Sequence, residues 1–97
     1  MIRARIHKHG DERLLAACDE ELLGLTFSEG VVKVTISENF YGADTMTEET
    51  LGERMGSVTI MNLFGDRSIA VGIEKGFVTP ENVITVAGIK HAQVVLL

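Results

Sequence analysis

An α+β fold, with a mainly antiparallel or mixed sheet and two principal helices, is predicted by three features of the sequence. Short runs near both ends of the chain alternate apolar and polar residues, the period-two mark of half-buried strands. Two segments in the second half instead place apolar residues one helical turn apart behind a capping residue. The links between these runs are short and no linker or repeat interrupts them, so residues 1–97 are expected to form a single domain.

The elements follow in order. In "IRARIHK", Ile2, Ala4 and Ile6 share one face while Arg3, Arg5 and His7 share the other. "HGDE" is a turn, and "RLLAAC" returns as a second strand, giving an antiparallel hairpin from Ile2 to Cys18. Asp19 is positioned to cap a short helical turn through "EELL", with Gly24 free to take the left-handed conformation that ends it. "VVKVTIS" alternates again, placing a strand near residues 31 to 37. Thr47 is an N-cap for a helix over 47 to 55, with Glu48 and Glu49 in the first turn and Leu51 and Met55 as an apolar pair. "SVTIMNL" is rich in β-branched residues and predicts a strand near 57 to 62. Gly65 turns the chain, Asp66 caps a helix over 66 to 75, and Gly76 closes it. "TPEN" is a turn, and the last two strands are expected near 83 to 87 and 91 to 97.

Composition limits the function. Hydrophobic residues make up 45% of the chain and aromatics only 5%, so the core must be aliphatic. A net charge of -5 repels polyanions at long range, while "MIRARIHKHG" leaves room for a local basic patch. Charged residues interrupt the N-terminus and no apolar run approaches a membrane span, so neither a signal peptide nor a membrane partner is expected. With a single cysteine, a disulfide within the chain is excluded; the expected location is the cytoplasm.

Several groups could carry chemistry. "IMNLFGDRSI" reads as strand, glycine and helix start, a place where unpaired amides beyond Gly65 could hold an anion. A single glycine is a poor phosphate loop, however, and Asp66 would occupy those amides; Arg67, with its forked guanidinium, keeps an anion role open. His7 and His9 share a strand face without a third ligand at metal spacing, so no metal and no cofactor are expected. His91 and Gln93 project from one side of the last strand as hydrogen-bonding groups. Cys18 belongs to an apolar face beside Leu14 and Ala16 and reads as a small hydrophobe rather than a nucleophile. In "SENFYGAD", Phe40 is expected to anchor the loop, leaving Tyr41 to point elsewhere.

The runs "AACDEELLG" with Phe27 beyond it, "FYG", "NLFGDR", "NVI" and "GIKHAQVV" together resemble the small archaeal domain-of-unknown-function family 424. The resemblance covers nearly the whole chain and implies an archaeal, cytoplasmic, single-domain protein without an established activity. The matching positions include Cys18, Asp19, Gly24, Phe27, Tyr41, Gly42, Asn62, Gly65, Gly88, His91, Ala92 and Gln93. Lys90 departs from the family's proline, which makes the approach to His91 less rigid.

Two functions fit these residues. The leading one is a non-enzymatic binding module for RNA or a ribonucleoprotein partner, reading unstacked bases through Tyr41 with Asn62, His91 and Gln93 as hydrogen-bonding groups. The alternative is a small enzyme or ligand-binding protein acting on a phosphorylated metabolite, with His91 as general base and Gly65 and Arg67 holding the anion. The apolar ending "VVLL" fits a terminal strand at a sheet edge with a homodimer paired through it, or, as the competing outcome, a strand in the middle of the sheet covered by the two helices in a monomer.

Overall fold

The computed structural model describes residues 1–96. Two long strands, β1 (Ile2–His9) and β2 (Glu12–Asp19), form the expected hairpin, paired from Ile2 with Asp19 to His9 with Glu12. A 3-10 turn over Glu20–Leu22 leads into a second hairpin, β3 (Thr26–Glu29) and β4 (Val32–Thr35). Then follow α1 (Glu38–Tyr41), β5 (Asp44–Met46), α2 (Glu48–Met55), β6 (Ile60–Phe64), α3 (Asp66–Glu74), a 3-10 turn over Pro80–Asn82, β7 (Ile84–Val86) and β8 (Ile89–Val95). The fold is α+β. Its six-stranded sheet has the order β5-β1-β2-β6-β8-β7, and β3 and β4 form a separate two-stranded sheet.

The sheet is mixed because β2 and β6 pair in parallel while every other neighbour pairs antiparallel. A parallel pair needs a long crossover, and here β3, β4, α1, β5 and α2 supply it. Both central strands carry buried residues on both faces, and the sheet has a core on each side. Leu15, Leu51, Met55, Met61, Leu63 and Ile69 fill the side under α2 and α3, where each fully buried side chain contributes about 1.5–3 kcal/mol. Ala16, Cys18, Leu22, Ile36, Tyr41 and Phe64 fill the smaller core on the opposite side, under α1 and the β3–β4 hairpin.

The strand expected near 57 to 62 is present and begins at Ile60, because parallel pairing to β2 starts only at Leu14 with Ile60, the register that buries Met61 and Leu63. Four expectations need correction. The strand near 31 to 37 is one arm of a hairpin whose other arm, β3, the alternation did not reveal; Gly30, at φ +60°, makes the turn. Asp66 is not the cap of α3: Gly65 holds that position, and Asp66 is exposed in the first turn. Asp19 does not cap the turn that follows it, since its side chain is used elsewhere. The terminal strand is not a sheet edge, for β8 lies between β6 and β7, and the edges are the three-residue strands β5 and β7. The premise of a homodimer through that strand is therefore lost. Leu97, the last residue of the expected strand, lies outside the described residues.

Candidate functional site

Register determines which side chains meet on the face opposite α2 and α3. Three rows cross it: Arg3, Cys18, Phe64, His91 and Ile84; then Arg5, Ala16, Asn62 and Gln93; then His7, Leu14, Ile60 and Val95. None of these positions is a carboxylate, and the next pair along β1 and β2 on this face, His9 with Glu12, brings one to its edge.

Helix α1 is fastened across one end of the face by the basic residues of β1. Arg3 donates from Nη2 to Gly42 O at 2.6 Å and Arg5 from Nη1 to Asn39 O at 3.2 Å, while His7 Nε2 lies 2.8 Å from Phe40 O. Cations are favoured at these carbonyls because the end of a helix leaves them unpaired. The His7 ring also stacks on Phe40, with centroids 4.7 Å apart. The expected roles of the two aromatics are reversed. Phe40 stays partly exposed on His7, whereas Tyr41 is 4% exposed and its ring is closed to stacking by a base.

Tyr41 instead donates its hydroxyl to Asn62 Oδ1 at 2.7 Å. Burial first, and neighbouring Cys18 second, push its pKa above the ordinary range, so it remains a donor. The Tyr41 ring meets Phe64 edge to face at 6.0 Å, and Phe64 stacks on His91 at 4.0 Å. His91 Nδ1 lies 2.9 Å from Leu63 O, and because a carbonyl only accepts, Nδ1 carries the proton. Burial lowers the His91 pKa, against the smaller opposing effect of that bond, leaving a neutral ring with a bare Nε2.

Tyr41, Asn62, His91 and Gln93 therefore come together, a grouping of candidates that the sequence named without placing them side by side. Gln93 is exposed and directly opposite Asn62 across β6 and β8. Among the described residues, the Asn62 amide nitrogen, the Gln93 amide and His91 Nε2 have no hydrogen-bond partner. Tyr41 is buried, Asn62 and His91 are half-buried, and Gln93 is exposed. Clefts of about 250, 160 and 260 Å³ lie elsewhere, and none of the three is lined by these four residues.

Gly65 and Arg67 lie apart from this group, beyond the end of β6. The amides that would hold an anion there are filled: Asp19 accepts from Arg67 N at 3.1 Å, and from Ser68 N and Oγ at 2.9 and 3.0 Å. Gly65 adopts φ +105°, and a Cβ on it would collide with the Asp19 carboxylate. The Arg67 guanidinium pairs with Glu21, Nη1 to Oε2 at 3.1 Å, and this bond lowers the Glu21 pKa. Lys90 reaches Asp66 at 3.8 Å. Sequence reasoning missed Asp19 as the acceptor for the first amides of α3 and Phe64 as the platform for His91. The signal for Asp19 was an acid at the end of a buried strand; for Phe64 it was period two counted from Asn62.

The family model described as "Protein of unknown function (DUF424)" matches residues 7–97. The chain belongs to that family. No curated protein matches it. Among solved structures, the DUF424 chain is similar to an uncharacterized conserved protein from Methanopyrus kandleri, at 24% identity and a TM-score of 0.87, covering 99% of this chain and 93% of that one. At that identity the likeness shows the fold alone. Among the described residues, no helix is long and apolar enough to cross a membrane, and no group of three metal-binding side chains occurs.

Proposed function

We propose that the chain is a non-enzymatic binding module that takes single-stranded RNA, free or in a ribonucleoprotein, on the open face of its sheet. The observation that carries this reading is the juxtaposition of three unpartnered polar groups, on half-buried Asn62 and His91 and exposed Gln93, along two paired strands. Small-molecule sites are concave and bury most of their ligand, whereas single strands are read on open surfaces by hydrogen bonds and ring stacking. The partly exposed His7–Phe40 pair offers a stacking face, and the three rows hold Arg3, Arg5 and His7 without a carboxylate. Arg3 and Arg5 make these rows locally basic against a net charge of -5, and Glu12 lies at their far edge. A cytoplasmic location accords with a lone free cysteine and with such a partner.

Titration of the isotope-labelled protein with mixed-sequence single-stranded RNA at low salt tests the reading. Amide and side-chain resonances of Asn62, Gln93, His91 and Arg5 should move together, and the affinity should fall as salt rises. No movement at saturating RNA, or movement confined to α2 and α3, rejects it.

One observation favours the alternative, a site for a phosphorylated metabolite with His91 as general base: Nε2 is neutral and unoccupied. What such a site lacks is an anion holder, since the amides beyond Gly65 serve Asp19 and Arg67 serves Glu21. Calorimetric titration with inorganic phosphate discriminates between them. Binding lost in Arg67→Ala would favour the metabolite reading, and absence of binding would remove it.

A further inference from the structure

The three polar groups of the open face are not interchangeable, because the protein has already used one side of two of them. Tyr41 Oη donates to Asn62 Oδ1, which fixes the orientation of that amide and turns its oxygen toward the protein. What Asn62 offers on the other side is its amino group, with two donors. Leu63 O accepts from His91 Nδ1, which fixes the tautomer in the same way. What His91 offers outward is a lone pair. Gln93 has both halves of its amide free and stands opposite Asn62, within the reach of a shared ligand atom.

From this pattern we infer that the face recognises a ring lactam edge, a carbonyl beside a ring N–H, as uracil and guanine present. The carbonyl has two lone pairs and can accept from Asn62 and Gln93 together, while the ring N–H donates to His91 Nε2. Adenine and cytosine carry a bare ring nitrogen where the lactam has its N–H, so an acceptor faces the lone pair of His91 Nε2, and an amino donor where it has the carbonyl, which meets the donors of Asn62; the O2 carbonyl that cytosine keeps has no ring N–H beside it. A phosphate or carboxylate offers acceptors only and sets one against the bare nitrogen of His91. The same polarity therefore selects for a neutral edge and against an acceptor-only ligand. Rotation of either fixed group would reverse the code, so Tyr41 and Leu63 O, which touch no ligand, act as positioning groups.

The inference rests on the binding-module reading, and its test separates the two. Affinity of the full chain is measured for a short oligouridylate, for the same oligomer methylated at uracil N3, and for oligoadenylate and oligocytidylate. Methylation removes the N–H and leaves charge and backbone unchanged; it should weaken binding about tenfold, the effect of one lost hydrogen bond that leaves its partner unmet. The His91 Nε2 nitrogen resonance should move with oligouridylate and not with its methylated form. Tyr41→Phe frees the Asn62 amide to turn, and it should narrow the preference for oligouridylate over oligoadenylate while retaining the salt-dependent part of binding, a result that loss of stability alone would not give. Equal affinity for methylated and unmethylated oligomers, or preference for oligoadenylate or oligocytidylate, overturns the lactam code and leaves the module standing. Failure of every oligomer to bind overturns both.

Discussion

The Tyr41 hydroxyl donates to Asn62 Oδ1 at 2.7 Å, tying α1 to the central strand β6 across the floor that Ala16 provides. That bond closes the smaller core and sets the polarity of the open face with one proton. Tyr41→Phe keeps the ring contacts with Phe40 and Phe64 and removes only the donor. The expected cost is about 1–2 kcal/mol, because Asn62 Oδ1 is left partly buried without its partner. Urea unfolding should show a lower midpoint with an unchanged slope; an unchanged midpoint would mean that water replaces the hydroxyl freely.

Asp19 performs the anion's part at the start of α3. Asp19→Ala should destabilise by about 2–3 kcal/mol, since it removes a cap and leaves Ser68, which is fully buried, with an unmet amide and hydroxyl. Asp19→Asn retains an acceptor and should cost less. With the carboxylate gone, the helix amides are open to a small anion, so sulfate should raise the thermal midpoint of Asp19→Ala more than that of the wild type. Equal sulfate responses would show that the amides stay shielded.

Cys18 should be inert. It is fully buried, and its pKa is raised from 9.0 to about 12, chiefly by burial and next by Asp19. A thiol reagent at neutral pH should react with the unfolded chain and not with the native one. Cys18→Ser should cost about 1–3 kcal/mol by placing a hydroxyl among Ala16, Ile36 and Phe64. Fast labelling of the native protein would contradict this placement.

Particular residues show which parts of this structure could be read in advance. Strands β1 and β2 and helices α2 and α3 were legible because their apolar residues keep one period and a cap or glycine marks the ends, as Thr47 does by accepting from Thr50 N. Hairpin arm β3 was not, because Phe27 is its sole partly buried residue and three exposed neighbours hide the alternation. Strand β5 has three residues, too few for a period. The site was half legible. That Asn62, His91 and Gln93 would share a face follows from period two along β6 and β8, but that these strands are neighbours depends on a long-range pairing that no local pattern carries. Asp19 was misassigned for the same reason: it sits next to the Glu20–Leu22 turn in sequence and next to α3 in space, and only the β2–β6 pairing decides between them.

Stability should fall on mild acidification through His91. Its folded pKa lies below the ordinary 6.5 because burial disfavours the cation, so the unfolded chain binds the proton more readily. This contribution is fully present above pH 6.5 and is lost as pH falls toward the folded value. Glu21, whose folded pKa lies below 4.5 through its bond to Arg67, contributes in the same direction only at lower pH. Between pH 6.5 and 4.5 the urea midpoint should therefore decline, and His91→Gln, which cannot take up a proton, should decline less. Parallel declines in both proteins would assign the effect to other groups.

The place of β8 inside the sheet predicts opposite outcomes for two adjacent residues. Val94 is 8% exposed and packs in the core under α2 and α3, so Val94→Lys buries an unpaired ammonium and should prevent folding or cost on the order of several kcal/mol. Val95 is 61% exposed on the other face, and Val95→Lys should leave the urea midpoint within about 0.5 kcal/mol of wild type. Strand β7 pairs with β8 only from Ile89 to His91, so the stretch near Gln93 and Val95 is where β8 itself could pair with a second copy. It is shorter than a stable edge-to-edge contact requires, and sedimentation equilibrium should give a mass near 10.6 kDa at every concentration for both wild type and Val95→Lys. A wild-type dimer that Val95→Lys dissociates without unfolding would return association to this strand, and it would place the interface against the amides of the open face.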